Sequence, residues 1–406
     1  MKNKLLIKNS FSKKHYSHNK YVKNCKIILQ EIDKIKVDLD IKKNNFNFLS
    51  KKFLLNFKKK DLNRFKKFNT IIVVGIGGSI LGLKSIYSFL KDQIKKDFIF
   101  IDNLSAFDLK QKLKKKKFNQ SLFIFISKSG STLETLTNLN IIDSKVKLHS
   151  KNTICITEKK DSALYNYAKQ KKMINIEHYD YIGGRYSVLS EVGMVPAYLM
   201  GLDIKKFRKN LLFFLENKKL LSDSVAKISQ FYLSKKINSM IIIIYNSHLN
   251  HFGYWLQQLM AESLGKKGLG ILPVVSIAPK DHHSLLQLYL DGPKDKIYYV
   301  IDLSKHKGTK VAKNNFTKSL KYLNNKKIEQ ITNAQKNSFI EILKKKDISF
   351  REIKLKDISE ETIGSLFGYF MLETALIGKV IKVNPFDQPA VESVKILTKK
   401  YLSQVK

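Results

Sequence analysis

The stretch Ile71-Ile-Val-Val-Gly-Ile-Gly-Gly-Ser79 places four branched apolar residues directly before a cluster of glycines. A short apolar run bounded by turn residues is typical of a buried strand. The glycines let the backbone approach a ligand, and a helix that starts after them presents free N–H groups to an anion. The stretch therefore predicts a strand followed by a ligand-binding turn. It is not a complete dinucleotide fingerprint, and no Gly-Lys-Ser/Thr follows, so a P-loop is excluded.

Six further short apolar runs recur along the chain, and stretches of helix-forming length separate them. They cover residues 98–101, 122–126, 153–156, 239–245, 297–302 and 348–355. This alternation predicts parallel strands with helical crossovers, because such strands are covered on both faces. The sequence therefore predicts an α/β fold of two tandem doubly wound α/β/α units with mainly parallel sheets. Ligands in such sheets bind beyond the carboxyl ends of the strands, so the loops that follow strands matter most.

The chain divides by pattern into three parts. Residues 1–50 are rich in Lys and Asn and show helical spacing over residues 25–40, which predicts an N-terminal helical segment. Residues 51–205 and 206–406 are predicted as two α/β domains, the second of which ends in a C-terminal helix. An amphipathic pattern over residues 205–235 predicts the helical connection between them.

The composition is that of a globular protein. The chain has 406 residues and is 43% hydrophobic and 11% aromatic, which supports large cores and excludes global disorder. Two cysteines, Cys25 and Cys155, cannot form a disulfide framework or a cysteine-rich zinc site, so they indicate a reducing compartment. The longest apolar run lies around residues 240–244 and falls far short of the roughly 18 residues of a membrane-spanning helix. We expect a cytoplasmic protein without a membrane partner.

The strong positive charge does not by itself indicate nucleic-acid binding. The chain carries 75 Lys and Arg against 34 Asp and Glu, a formal charge of +41. Only four of the basic residues are arginines, whereas nucleic-acid readers rely on arginine for bidentate contacts. The lysines are spread along the whole chain instead of gathering in one domain. A solvated basic surface explains this pattern better than a specific nucleic-acid groove, which would need clustered arginine and exposed aromatic residues.

A second loop rich in hydroxyl groups follows the predicted strand at residues 122–126. It reads Ser127-Lys-Ser-Gly-Ser-Thr132 and leads into another helical stretch. A helix cap explains one or two of the four hydroxyls, but not all of them. Backbone amides, several hydroxyls and the positive end of a helix suit a phosphate monoester. The two loops together predict a sugar-phosphate pocket.

Two ionisable residues stand out as candidates for chemistry. Arg185 follows two glycines in a chain where lysine is the default cation, so its fixed, permanently charged fork suits stabilisation of an oxyanion. A structural salt bridge is the alternative. Gln258 and Glu262 lie four residues apart and share a face if residues 251–264 are helical. Glu262 acts as a general base if the pocket desolvates it, and otherwise it is one more solvated glutamate.

The histidines and the C-terminal motif leave more than one interpretation open. In Asp281-His-His-Ser284 the two rings point in different directions, so one of them is a candidate proton shuttle. His248 and His251 could add metal ligands, but no known ligand spacing appears and we expect no metal. Asn384 to Pro389 predicts a turn with a helix after it, which places Gln388 and Lys395 two turns apart on one face. Spacing alone does not distinguish Lys395 from the many solvated lysines.

Taken in order, these motifs resemble the glucose-6-phosphate isomerase (phosphoglucose isomerase) family, which has the sugar isomerase (SIS) fold. The matching pieces run from about residue 71 to residue 395. They are Gly75-Ile-Gly-Gly-Ser79, Ser127-Lys-Ser-Gly-Ser-Thr132, Gly183-Gly-Arg-Tyr-Ser187, Gln258 through Glu262-Ser-Leu-Gly-Lys266, His283-Ser-Leu-Leu-Gln287 and Asp387-Gln-Pro-Ala-Val-Glu-Ser-Val-Lys395. The resemblance implies reversible isomerisation of glucose 6-phosphate and fructose 6-phosphate through an enediol(ate), in glycolysis and gluconeogenesis, without a metal or another cofactor.

The resemblance also implies a role for each matching residue. Glu262 would move a proton between C1 and C2, and Arg185 would stabilise the enediolate. His283 of a partner subunit would open the pyranose ring with help from Lys395, which implies a homodimer with a shared active site. The implied substrate-binding residues are Gly78, Ser79, Ser127, Lys128, Ser129, Thr132, Gln258 and Gln388. Of these, Gly78 and Ser79 would line the sugar, and the residues from Ser127 to Thr132 would hold the phosphate.

Two alternatives of different kinds are weighed against this reading. A related isomerase that also accepts mannose 6-phosphate would keep the same residues. A non-catalytic module that senses sugar phosphates would keep the hydroxyl loop, but it would not need Glu262, Arg185 or His283. The presence of all three favours an enzyme.

Overall fold

Two five-stranded sheets form the framework of the protein. The computed structural model describes residues 3–114, 118–304, 308–313 and 318–404. The strands of the first sheet are β2 (Thr70–Val74), β3 (Asp97–Ile101), β4 (Ser121–Ile126), β5 (Thr153–Thr157) and β6 (Ile174–Glu177). Those of the second are β1 (Leu5–Ser10), β7 (Ser239–Ile244), β8 (Leu272–Ile277), β9 (Lys296–Leu303) and β10 (Phe350–Leu355).

Helices cover these sheets and connect their strands. Those in the described residues are α1 (His18–Asp38), α2 (Lys59–Asn63), α3 (Leu81–Phe89), α4 (Ala106–Lys114), α5 (Leu133–Asp143), α6 (Ala163–Gln170), α7 (Glu191–Leu199), α8 (Phe213–Glu216), α9 (Lys218–Ser234), α10 (Asn250–Leu264), α11 (His282–Asp291), α12 (Ile328–Lys345), α13 (Glu360–Val380) and α14 (Ala390–Gln404). The long helix predicted over 205–235 is interrupted. Asn217 has a non-helical backbone between α8 and α9, and its side-chain amide donates to the Phe213 carbonyl at 2.8 Å.

The strand order confirms the predicted fold class. The first sheet runs β3-β2-β4-β5-β6, and every neighbouring pair in it is parallel. The second runs β1-β10-β9-β7-β8 and is parallel except for β1. In both sheets the chain crosses from one side of an early strand to the other, which is the doubly wound arrangement. The division into domains at residues 50 and 205 stays a prediction of the sequence.

The N-terminal segment contains more than the predicted helix. Helix α1 covers the helical pattern and buries one face through residues such as Ile28, Ile32 and Ile35. Strand β1 precedes it and was missed by the sequence analysis. It pairs antiparallel with β10, with Leu5 opposite Leu355. The partner of this strand lies about 350 residues away in the sequence, so no local pattern identifies it.

Helix α13 is the central core helix. Nearly all of its residues are buried, and it is long and apolar enough by length and composition to cross a membrane, although 94% of its most apolar window is packed inside the protein. It also completes a buried ion pair. The Arg351 guanidinium donates to both Glu373 carboxylate oxygens at 2.8 Å and to the Tyr369 hydroxyl at 2.7 Å. This bidentate geometry compensates two charges that are fully removed from water.

A buried glutamate in α7 makes the free energy of unfolding depend on pH. Glu191, in the first turn of α7, is fully buried, and its Oε1 accepts the backbone N–H of Asn56 at 2.7 Å. Burial raises the pKa of this carboxyl from 4.5 to about 7, against the opposing effects of that hydrogen bond and of Arg208. Because the folded chain holds this proton more tightly, stability falls as pH rises from about 4.5 to 7, by at most about 3 kcal/mol.

We therefore expect Glu191→Gln to stabilise the protein at pH 8 by about 1–3 kcal/mol, since the amide carries no charge to bury. The gain should shrink below pH 5, where the native carboxyl is protonated in the folded chain. Urea unfolding at pH 5 and pH 8 measures this difference. The exposed Glu216 provides the control variant Glu216→Gln. A stability difference between Glu191→Gln and the native chain that is the same at both pH values would contradict the expectation.

Candidate functional site

The glycine-rich turn after β2 lies against the backbone of the Arg185 loop. The turn Gly77–Ser79 is a short 3-10 helix, and α3 starts two residues later. A Cβ added at Gly78 would lie 2.3 Å from the Gly184 carbonyl carbon and 2.5 Å from the Arg185 nitrogen. Only glycine permits this approach. The sequence-predicted ligand turn therefore borders the residue predicted to stabilise an oxyanion.

Each nitrogen of the Arg185 guanidinium has a hydrogen-bond acceptor in the protein. The Arg185 side chain is 1% exposed. Nε donates to the Ser263 hydroxyl at 2.8 Å, and Nη2 donates to the carbonyls of Pro385 at 2.7 Å and Asp387 at 3.0 Å. Nη1 faces the more open side, where it contacts the Gln388 amide oxygen. A cation fixed by this many acceptors keeps its orientation before any ligand binds.

Glu262 lies beside this guanidinium in the last turn of α10. Its Oε2 is 3.4 Å from Arg185 Nη1, and its Oε1 accepts a hydrogen bond from Gln258 Nε2 at 3.0 Å. The predicted helical face is thus confirmed for Gln258 and Glu262. The Glu262 side chain is 32% exposed, so it is accessible from solvent. The amide oxygen of Gln258 is buried, and it has no hydrogen-bond partner among the residues that the structure describes.

A cavity opens next to Glu262. It has a volume of about 660 Å³, and its lining includes Glu262, Lys266, Asp387 and Gln388. Burial lowers the pKa of Lys266, although the Asp387 carboxylate raises it in part. Tyr186 packs behind Arg185, and burial raises its pKa to about 12, so it stays neutral. The cavity therefore brings the reachable Glu262 carboxylate near a second carboxylate, Asp387, and near the Lys266 ammonium that pairs with it.

The hydroxyl-rich turn forms the second half of the predicted pocket. It follows β4, which pairs with β2, so the two turns emerge at the same edge of the sheet. The Ser127 and Thr132 hydroxyls lie 2.8 Å apart, and the Gly130 N–H points to the Ser127 carbonyl. Helix α5 starts directly after Thr132. The positive end of this helix and the exposed Ser129 hydroxyl suit an anion.

Lys128 takes a different direction from the hydroxyls around it. Its ammonium donates to the Asp180 carbonyl at 2.7 Å and lies 3.9 Å from a Glu158 oxygen. Burial lowers its pKa, and the nearby positive charge of Arg185 contributes in the same direction. The Lys128 ammonium is therefore already close to two protein oxygens, one of which follows β5 and one of which precedes the Arg185 loop.

Two predicted residues lie outside the Arg185 cluster. His283 is exposed at the start of α11, whereas the neighbouring His282 contacts the Tyr245 hydroxyl at 2.7 Å. Lys395 lies on α14, where its ammonium pairs with Glu392 at 2.6 Å and its side chain is 64% exposed. None of the contacts in the described part of the chain joins either residue to Glu262. The helix expected after the turn at Pro389 begins at Ala390, so Gln388 precedes it.

The sequence analysis missed the residues that hold Arg185. Ser263 and Lys266 stand inside the Glu262 motif but received no role, and the carbonyls of Pro385 and Asp387 are backbone groups without a sequence signature. Trp255 donates its indole N–H to the Arg185 carbonyl at 3.2 Å. Trp255 is the single tryptophan of the chain, and this rarity was the one compositional signal that could have pointed to a residue of the Arg185 environment. In the described ranges, no group of three or more His, Cys, Asp or Glu residues is arranged to hold a metal ion.

Comparison with known proteins gives a consistent result. The sequence model of the family described as "Phosphoglucose isomerase" matches residues 50–406. The glucose-6-phosphate isomerase of Methanocaldococcus jannaschii is 31% identical, with 85% of this chain and 88% of that protein covered. That of Mycoplasmopsis synoviae is 34% identical, with 81% of each covered.

Solved structures share the fold at lower sequence identity. A hypothetical protein from Thermus thermophilus has a TM-score of 0.84 at 23% identity, with 98% of this chain and 100% of that chain covered. A glucose-6-phosphate isomerase from Chlamydia trachomatis has a TM-score of 0.73 at 20% identity, with 85% and 72% covered. Because the family match spans most of the sequence and relatives above 30% identity cover four fifths of it, the chain belongs to the phosphoglucose isomerase family.

Proposed function

We propose that Glu262 and Arg185 together carry the isomerisation of glucose 6-phosphate and fructose 6-phosphate. Glu262 is the base that moves a proton between C1 and C2, and Arg185 stabilises the enediolate formed in between. The observation that carries this proposal is the 3.4 Å approach of a reachable carboxylate to a fully buried, prefixed guanidinium. Conversion of an aldose to a ketose needs one base near two adjacent carbons and a cation near the oxygens.

The arrangement assigns the two oxygens of Glu262 to different partners. Oε1 receives the Gln258 amide, which fixes the carboxylate plane, while Oε2 lies on the side of Arg185. A carboxylate held in this way can take a proton from one carbon and return it to the next without turning. The unpartnered amide oxygen of Gln258 supports its role in substrate orientation, because it remains free to accept a substrate hydroxyl.

Arg185 would meet the substrate through Nη1. Its other nitrogens are bound to the Ser263 hydroxyl and to two backbone carbonyls, whereas the partners of Nη1 are the side chains of the half-exposed Glu262 and the exposed Gln388. A substrate oxygen can replace the Gln388 amide oxygen at this position, after which Gln388 is free to bind the sugar. The charge that develops on the enediolate then faces a donor already in place.

The phosphate group fits the hydroxyl turn. Ser127, Ser129 and Thr132 present hydroxyls around the N-terminus of α5, and backbone N–H groups of this turn add further donors. Gly78 and Ser79 follow the neighbouring strand and would line the sugar between this turn and Arg185. The Lys128 ammonium donates to the Asp180 carbonyl. Lys128 would therefore contribute its positive charge from behind the turn.

The remaining two residues point to a homodimer with a shared active site. His283 is exposed and separate from the Arg185 cluster, which suits a residue donated to the site of a partner subunit. Helix α14 has no buried residue and turns apolar side chains such as Ile396 and Tyr401 to the surface. Exposed apolar surface of this kind is typical of an interface. Lys395 lies on this helix, one turn beyond Val391 at the rim of the cavity.

A cytoplasmic location is part of the same proposal. Both cysteines are free thiols, with Cys155 buried and Cys25 half-buried. Free thiols suit a reducing compartment. The substrate class supports the same location, because sugar phosphates are charged intermediates of metabolism inside the cell.

Complementation between two inactive variants tests the shared site. Glu262→Gln and His283→Ala chains are co-expressed with different tags, and the mixed dimer is purified. If His283 serves the partner, one of the two sites in each mixed dimer is native, so about half of the native turnover per dimer should return. The assay follows conversion of fructose 6-phosphate with EDTA present, so that activity also supports a reaction without a metal. A mixed dimer no more active than its parents would refute the shared site.

A further inference from the structure

We propose that Lys266 is a positioning residue that locks the Arg185 guanidinium into its orientation for catalysis. The proposal rests on the role of Arg185 proposed above and adds a residue to which no role has been given. Lys266 follows the end of α10, where its side chain is 12% exposed. Its ammonium contacts three protein oxygens: the Ser263 carbonyl at 3.0 Å, the Asp387 carboxylate at 3.0 Å and the Asn384 carbonyl.

Two of these partners also hold Arg185. Ser263 gives its carbonyl to Lys266 and its hydroxyl to Arg185 Nε at 2.8 Å. Asp387 gives its carboxylate to Lys266 and its carbonyl to Arg185 Nη2 at 3.0 Å. Lys266 and Arg185 are therefore joined by two separate bridges, one through α10 and one through the C-terminal turn. We call this arrangement, formed by Lys266, Ser263, Asp387 and Arg185, the double bridge.

The double bridge connects segments that are far apart in the sequence. Arg185 comes from the loop after the first sheet, Ser263 from α10, and Asp387 from the turn at residues 384–389. That turn is followed by α14, none of whose residues is buried. The Lys266 contacts to Asn384 and Asp387 therefore tie down a turn that leads into an exposed helix. The same turn supplies the Pro385 carbonyl and Gln388 to the guanidinium.

The charge of Lys266 suits this position for two reasons. The last turn of a helix has free carbonyl groups and carries partial negative charge, which a cation stabilises. Asp387 supplies a full negative charge at 3.0 Å, and Asn384 Nδ2 holds the other oxygen of this carboxylate at 3.1 Å. A neutral side chain at 266 would leave two carbonyls and one carboxylate oxygen without this donor. The turn would then lose its fixed distance from α10, and the acceptors of Arg185 would move with it.

Lys296 provides a control lysine of nearly the same burial. Its side chain is 11% exposed, and its ammonium contacts the Asp295 carboxylate at 2.5 Å and the Pro293 carbonyl at 3.2 Å. It lies at the start of β9 and does not line the cavity beside Glu262. Lys296→Met therefore removes the same kinds of contact away from the candidate site and serves as a matched control for Lys266→Met.

We expect Lys266→Met to lower kcat by about 10- to 100-fold with KM changed by less than about threefold, because a small displacement of a catalytic group costs rate more than binding. Lys296→Met should keep kcat within about twofold of the native value, since it leaves both bridges intact. Lys266→Arg, which keeps a charged donor, should recover most of the lost rate. A kcat of Lys266→Met within about twofold of the Lys296→Met control would overturn the proposal.

A double-mutant cycle separates the double bridge from general loss of structure. Asp387→Asn removes the charge from a side chain that is 49% exposed, so the fold should tolerate it. Both changes break the same contact, that between the Lys266 ammonium and the Asp387 carboxylate. The combined variant Lys266→Met with Asp387→Asn should therefore be no slower than Lys266→Met alone. Multiplied losses would overturn the proposal. If Arg185→Lys and Glu262→Gln leave turnover intact, the proposed function itself fails; if only the Lys266 variants do, the double bridge alone fails.

Discussion

Glu262→Gln is expected to lower kcat for fructose 6-phosphate by about 100-fold or more, while KM changes by less than about threefold. The amide has the volume of the carboxylate and can still meet Gln258 and Arg185, so the pocket keeps its shape. It cannot accept a proton from carbon, however, and the transfer between C1 and C2 loses its base. Steady-state kinetics in both directions of the reaction measure the loss.

A second readout isolates the proton transfer. In deuterated water, the native enzyme should exchange the hydrogen at C2 of glucose 6-phosphate with solvent, and Glu262→Gln should not. Glu191→Gln is the control, because it makes the same change at another glutamate near the Arg185 loop without touching the cavity. Turnover of Glu262→Gln within about tenfold of this control would refute the assignment of the base.

The sheet interiors could be predicted from the sequence, but most sheet edges could not. All seven predicted apolar runs are strands, including the central β2, β4, β7 and β9. The three strands that were missed, β1, β6 and β8, lie at the edges. Central parallel strands are buried on both faces and read as continuous apolar runs, whereas edge strands need no such run. Pro273 in β8 illustrates this difference, because proline is tolerated in a strand only at an edge.

The candidate site could be predicted from the sequence where side chains form it, but not where backbone carbonyls do. The helical spacing of Gln258 and Glu262 placed them on one face, and in the structure Gln258 donates to Glu262, which lies beside Arg185. The carbonyls of Pro385 and Asp387 complete the guanidinium environment, yet any residue could supply a carbonyl. Their position follows from how the C-terminal turn packs, which is a tertiary property.

Residues that we propose to act across a subunit boundary pose a different limit. The local pattern at His283 predicts a histidine at a helix start, and the structure has one there. Neither the pattern nor the fold of one chain determines which subunit receives it. For Lys395, the helix was predicted and is present as α14, where its ammonium pairs with Glu392 and makes no contact with Glu262 among the described residues. Their roles therefore depend on the assembly that the complementation experiment probes.

Arg185→Lys is expected to lower kcat/KM by about 100- to 1,000-fold, although the positive charge is kept. Lysine has three donors on a flexible stem, whereas the guanidinium uses a planar fork. A lysine at 185 can satisfy only some of the acceptors that now surround Arg185, which include Ser263, Pro385 and Asp387. Its ammonium would turn toward these buried oxygens, because leaving them unpaired is costly. It would then lie away from the enediolate.

Arg208→Lys is the matched control for this change. Arg208 is half-buried and also donates to two backbone carbonyls, those of Leu189 and Ser50, at 3.1 and 2.9 Å, but it lies outside the cavity. Both variants should lose some stability in thermal unfolding, since each replaces a fork that holds carbonyls from distant segments. Only Arg185→Lys should lose turnover among the molecules that remain folded. Equal turnover of the two variants, per folded molecule, would mean that the guanidinium of Arg185 holds the loops together without stabilising the enediolate.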